Sequence, residues 1–168
     1  MLFPRSWFAL KKGGVKVGSW LWWTGYTLCA VWAQEWIAGI DFFSPGVILC
    51  LQAGQWRKAL WLGIAWGILQ EGTGALVFGA MLLFEVGLFC FFFWSKWLLE
   101  PENPLFVLLL SVFLVAWHEV IFVGLGSLQG LVVTWNPFPV LFLQLFAYVL
   151  TWAFVYPLFI RMVPRVAD

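Results

Sequence analysis

The chain has 168 residues, 64% of them hydrophobic and 10% charged, with a formal net charge of +1; a soluble globular domain is about half apolar and about one-quarter charged. This composition predicts an integral membrane protein and excludes an ordinary soluble domain. The balanced charge, with no long basic or acidic run, gives no footing for a nucleic-acid partner.

The opening stretch, MLFPRSWFALKKGGVK, places its basic cluster after a short apolar run, the reverse of the order in a cleavable signal, so no leader is expected. The first predicted span is Val17 to Gly39, interrupted only by Glu35. Thr24, Thr27 and Gln34 recur in it at steps of 3 and 7, drawing a polar stripe down one helix face. A charge-free second segment follows from Phe42 to Trp56, with Pro45 near its start; at 15 residues it is short for a span.

After Arg57 and Lys58, the stretch from Ala59 to Ser95 runs 37 residues with Glu71 and Glu85 as its only charges. A span needs about 20 residues, so this is one helix with a remainder or two helices with a turn at Gly72-Thr73-Gly74. Charge bias decides between them. With a break there are six spans, and Arg5, Lys11, Lys12, Lys16, Arg57, Lys58, Lys96, Arg161 and Arg165 all fall on one side; without it, Lys96, Arg161 and Arg165 change sides. The third and fourth segments are therefore 59–70 and 74–95. The third has only 12 residues, roughly 18 Å of helix, which predicts a short hairpin of segments two and three buried in the bundle or lining an outward cavity. Gly63 and Gly67 form a GxxxG pair, a face for close approach of another helix.

The fifth span, Leu105 to Leu128, contains His118 and Glu119, and the sixth, Phe138 to Ile160, carries Gln144, Tyr148 and Thr151 as a second polar stripe. Such stripes serve helix–helix hydrogen bonds or a ligand pathway. Intramembrane Glu85, His118 and Glu119 serve proton transfer, substrate binding or helix pairing, the plainest role being a neutral carboxyl that fixes helix register. Adjacent His118 and Glu119 would point about 100° apart on a helix, which disfavours one metal taking both. Cys29, Cys50 and Cys90 fall inside apolar segments without CxxC spacing and read as small hydrophobes. With no Walker loop, GxSxG, HExxH or paired-carboxylate motif, nothing reads as an enzyme, and no cofactor or metal is expected.

Several short motifs resemble one family. Pro45 in FSPGVILCLQ opens the short second helix; GILQE supplies Gly67 and, four residues on, Glu71; Gly79 follows eight residues later; the last segment has Gln144, Pro157 and a short basic tail. This pattern resembles the rod shape-determining MreD family, with Glu71 and Gln144 where that family usually has Asp and Asn, no Arg before Pro45, and a short loop from Gln129 to Pro137. The resemblance implies an all-α integral membrane protein of six transmembrane segments, two of them short, similar in fold to the substrate-binding subunits of energy-coupling-factor transporters. It implies a bacterial inner-membrane location with both termini cytoplasmic. The implied role is a non-catalytic scaffold of the cell-elongation, peptidoglycan-synthesis machinery, docking an MreC-like protein and through it MreB, RodA and a penicillin-binding transpeptidase. The residues that carry the resemblance, Pro45, Gly67, Glu71, Gly79, Gln144 and Pro157, together with Gly63, Glu85, His118 and Glu119 read from their own positions in the segments, are the structural and partner-docking candidates. Two other readings stand beside it. One is the membrane subunit of a vitamin-type transporter, with Glu71, Glu85 and His118 lining its cavity. The other is an accessory subunit of an electron-transfer or ion-translocating complex, using Glu85 and Glu119 in a proton path.

Overall fold

The computed structural model describes residues 18–37, 39–72, 79–130 and 138–162. They form six α-helices: α1 Ser19–Trp36, α2 Ser44–Gln52, α3 Trp56–Gly72, α4 Ala80–Ser95, α5 Pro104–Leu128 and α6 Phe138–Met162. Two of them, α5 and α6, are long and apolar enough to cross a membrane.

Local chemistry explains most of the helix starts. Pro45 and Pro104 lie in the first turns of α2 and α5, where the missing N–H costs nothing. Asn103 caps α5 by accepting the Leu105 N–H at 2.9 Å. Gly79 precedes α4 with φ +82°, a left-handed conformation that glycine adopts without a Cβ penalty.

Helix bounds differ from the sequence expectation at several places, and α1 ends at Trp36 rather than Gly39. α2 has nine residues, roughly 14 Å, because Phe42 and Phe43 belong to the link before it, Ala53 to Gln55 to the turn after it, and Trp56 to α3. α3 has seventeen residues rather than twelve. Arg57 and Lys58 are exposed members of its first turn rather than a boundary, and Glu71 belongs to its last. The short member of the hairpin is therefore α2 alone. The turn predicted at Gly72-Thr73-Gly74 lies, beyond Gly72, outside the described residues.

Packing runs in a closed circuit, with α2 against α3, α3 against α4, α4 against α5, α5 against α6, and α6 back against α2. Register shows the directions. Gly63 lies opposite Glu85 and Gly67 opposite Met81, so α3 and α4 are antiparallel. Phe91 stacks on Phe113 and Phe84 meets His118 edge-on, so α4 and α5 are antiparallel. Asp41 pairs with Gln144 and Gln52 with Trp152, so α2 and α6 run parallel. α1 lies outside the circuit, holding it through Trp23 and Tyr26 against Trp66 and through Trp22 and Trp23 against Phe159. The described cations Arg57, Lys58, Lys96 and Arg161 all come to the same end.

Large apolar side chains lie exposed on every helix but α2, including Trp20, Trp32, Trp61, Val86, Leu109 and Phe154, around a core that is itself mainly apolar but also holds Asp41, Gln70, Glu85, Ser111, Glu119 and Gln144. Ser44 to Leu51 of α2 are all buried as well.

Candidate functional site

The buried polar side chains gather around a stretch that is not helical. After α1 the chain turns back into the bundle, and Ile40 to Phe43 run between α1, α3 and α6 before α2 begins. Ile40, Asp41 and Phe43 are buried. Backbone polar groups at such depth need protein partners when water cannot reach them, and side chains supply several of them. The Asp41 N–H donates to Gln144 Oε1 at 2.9 Å, and Gln144 Nε2 donates back to the Asp41 carbonyl at 3.0 Å. The Phe42 carbonyl accepts from the Tyr26 hydroxyl at 2.8 Å. Asp41 Oδ1 accepts the N–H groups of Phe43 at 2.8 Å and Ser44 at 3.3 Å, an Asx turn that starts α2.

The same carboxylate ties three helices. Gln70 Nε2 of α3 donates to Oδ1 at 3.3 Å, and the Tyr148 hydroxyl of α6 donates to Oδ2 at 3.1 Å. The Ser44 hydroxyl of α2 also donates to Oδ2. Five donors thus converge on one side chain, and hydrogen bonds to a carboxylate are the stronger kind. The far end of α2 is pinned too: Gln52 donates to the Pro101 carbonyl at 2.6 Å and accepts from Trp152 Nε1 at 2.9 Å.

Glu71 does similar work between α3 and α4. Its Oε1 accepts the Met81 N–H at 3.0 Å, satisfying an orphan donor in the first turn of α4 and placing negative charge at that helix's positive end. Glu71, Gly79 and the α4 N-terminus therefore form one junction. Gly63 and Gly67 are buried, and the helix that approaches along their face is α4 of the same chain. A Cβ at position 63 would stand 3.0 Å from Glu85 Oε2, and one at 67 would stand 3.7 Å from the Met81 Cβ. Glu85 lies in the notch Gly63 leaves, 7% exposed, with Oε2 making no hydrogen bond.

His118 and Glu119 do meet despite adjacent helix positions, with Nδ1 3.7 Å from Oε1; two flexible side chains close the 100° between their Cα–Cβ directions. His118 stacks on Phe122 at 4.2 Å. Among the described residues no three His, Cys, Asp or Glu side chains are grouped to hold a metal ion. Pro157 lies inside α6 on its exposed side. Of the two polar stripes, Gln144 and Tyr148 face the bundle. On α1, Thr27 does so, accepting from Trp66 Nε1 at 3.0 Å, but Thr24 is exposed.

Sequence reasoning thus found Gln144 and Glu71 but missed Asp41, the centre of the network. Its signal was present: apart from Asp168 it is the only aspartate in the chain, and it stands three residues before Ser44-Pro45, the arrangement of an Asx turn entering a helix.

A cavity of about 420 Å³ lies between α1 and α6, bordered by Phe42 of the link before α2, by Gly25, Tyr26, Cys29 and Ala33 of α1 and by Thr151, Val155 and Leu158 of α6. None of Glu71, Glu85 and His118 borders it. No family model, curated protein or solved structure matches the chain.

Proposed function

We propose that this chain is a six-span protein of a bacterial inner membrane, with both termini cytoplasmic. In this reading it is a non-catalytic scaffold of the cell-elongation machinery, in the manner of the MreD family that its motifs resemble. It docks an MreC-like protein and, indirectly, MreB, RodA and a penicillin-binding transpeptidase. The observation that carries the scaffold reading is the use made of the buried polar groups. Asp41, Gln144, Tyr26, Gln70 and Tyr148 are engaged in holding the non-helical link and α2, an arrangement that fixes helices relative to one another. The resemblance residues Pro45, Glu71 and Gly79 likewise lie at helix starts and junctions.

Membrane embedding is supported by the apolar exterior, since apolar rings and aliphatic chains exposed on five helices suit hydrocarbon as the surrounding solvent. The cations at one end agree with a cytoplasmic face, and Trp20, Trp56, Trp94 and Trp97, all exposed, lie at that same end, where indole rings favour the interface. The transporter-subunit reading gains nothing from the observed cavity, because the residues it assigns to ligand binding do not line it.

Affinity purification of the tagged full chain from native membranes tests the proposal. Recovery of an MreC-like protein or a cell-wall synthase is the expected result. Recovery of neither, from membranes in which both are present, rejects the scaffold role.

A further inference from the structure

The α1–α6 cavity meets, on α1, the small residues Gly25, Cys29 and Ala33 at four-residue steps, flanked by the larger Leu21, Trp22 and Tyr26. On α6 it meets Thr151, Val155 and Leu158 at steps of 4 and 3, one face of a helix. A Cβ added at Gly25 meets nothing within 4 Å, so the backbone of α1 borders open space there. The aromatic rings of Trp22, Tyr26 and Phe42 complete its lining.

Shape narrows the occupant. From Leu21 to Ala33 the groove is roughly 18 Å long, and its volume of about 420 Å³ is bounded almost wholly by apolar side chains. That elongated, apolar shape suits one extended hydrocarbon chain. An apolar groove this large is not left empty when mobile apolar chains surround it, because its walls would forgo dispersion contacts along their length.

Charge narrows it further. Arg161 is exposed and stands three residues after Leu158, so it sits one turn beyond the groove on the groove-lining side of α6. Trp20, 86% exposed, lies at the same end on α1. A cation and an indole ring at the mouth of an apolar groove match a phosphate headgroup at the membrane interface.

We propose that the α1–α6 groove is a binding site for one acyl chain of an anionic membrane lipid whose phosphate headgroup sits at Arg161. The site rests on the membrane reading of the chain but not on its scaffold role.

The test uses the full chain reconstituted into vesicles containing phosphatidylglycerol or phosphatidylcholine with a photoactivatable diazirine in the acyl chain. After photolysis, labelled residues are mapped by peptide mass spectrometry. Label is expected to concentrate at 25–33 and 151–158, above the level on exposed Leu82, Val86 and Phe93 of α4, and to favour phosphatidylglycerol. Gly25→Leu and Val155→Trp each fill the groove from a different wall, and each should remove groove label while leaving α4 label unchanged. Arg161→Gln should lower the preference for phosphatidylglycerol roughly fivefold, the share of one basic residue at an anionic surface.

Groove label no higher than α4 label, or unmoved by both filling variants, overturns the site. An unaltered lipid preference in Arg161→Gln overturns the headgroup assignment. Cross-linking of a co-purified protein in the groove in place of lipid overturns the choice of occupant. A chain that takes no label on α4 either contradicts the membrane reading itself, whereas loss of partner recovery with groove label intact touches only the scaffold role.

Discussion

Asp41 and Gln144, 103 residues apart, exchange two hydrogen bonds: the backbone N–H of Asp41 to Gln144 Oε1 at 2.9 Å, and Gln144 Nε2 to the Asp41 carbonyl at 3.0 Å. One side-chain amide thereby replaces the backbone partner that a helix or strand would have supplied. The pairing lets a non-helical segment lie buried beside α6, and it fixes where α2 begins.

Replacing Gln144 by Leu keeps much of the volume but leaves a buried donor and a buried acceptor without partners, each costing about 1–3 kcal/mol. Thermal unfolding of the purified protein in detergent should show a clear loss of stability. Gln144→Glu should destabilise where the new carboxyl is ionised, because its second oxygen would then face the Asp41 carbonyl with no proton donor between them. The loss should shrink as the pH falls and the protonated form donates in place of the amide. Unchanged unfolding in both variants would refute the role given to this amide.

Asp41→Ala removes the acceptor for five donors, and its cost should exceed that of Gln144→Leu. Asp41→Asn keeps one acceptor oxygen but turns an N–H₂ group toward some of those donors, so it should fall between wild type and Asp41→Ala. A ranking with Asn at least as damaging as Ala would show that the cage does not depend on acceptor count.

Glu71→Gln retains an oxygen that can accept the Met81 N–H, and it should preserve stability and cellular function. Glu71→Leu loses the cap and should cost about 1 kcal/mol, read as a lowered midpoint in the same unfolding assay. Loss of function in Glu71→Gln at normal protein levels would mean that the charge itself is required.

Gly63→Ala places a methyl group 3.0 Å from Glu85 Oε2 and should destabilise by pressing on that carboxyl. Shortening its neighbour in the double variant Gly63→Ala with Glu85→Ala should recover part of the loss. Additive losses in this double-mutant cycle would show that the two residues do not interact.

Topology has its own check. In a variant lacking the native cysteines, a cysteine in place of Lys96 should resist an impermeant thiol reagent applied outside intact cells and react after permeabilisation. Labelling from outside would place the shared charged end of α3, α4 and α6 on the outer face.

How much of this was legible in the sequence varies by residue. Glu71 and Gly79 stood out because a carboxylate and glycines break an apolar run, and the structure joins them at one junction. Gly63 and Gly67 signalled close packing through their four-residue spacing, but spacing cannot say whether the approaching helix belongs to the same chain. Here it is α4. Asp41 drew no notice because it lies between predicted segments, where a charge looks like an ordinary loop residue.

What the sequence by itself determined is the class of structure. The apolar excess, the sparse charges and their bias to one side dictate apolar helices with exposed rings and an inward-facing polar minority, since transfer free energy depends on composition along each segment. What only the tertiary structure decided is the partnership of the polar minority. Gln144 meets Asp41, Tyr26 meets the Phe42 carbonyl, and Glu71 meets the Met81 N–H because helix directions and register bring them within hydrogen-bond reach. A linear pattern records the period of a helix face but not which backbone group lies opposite, so a buried non-helical link and the side chains that satisfy it become visible only once the helices are packed.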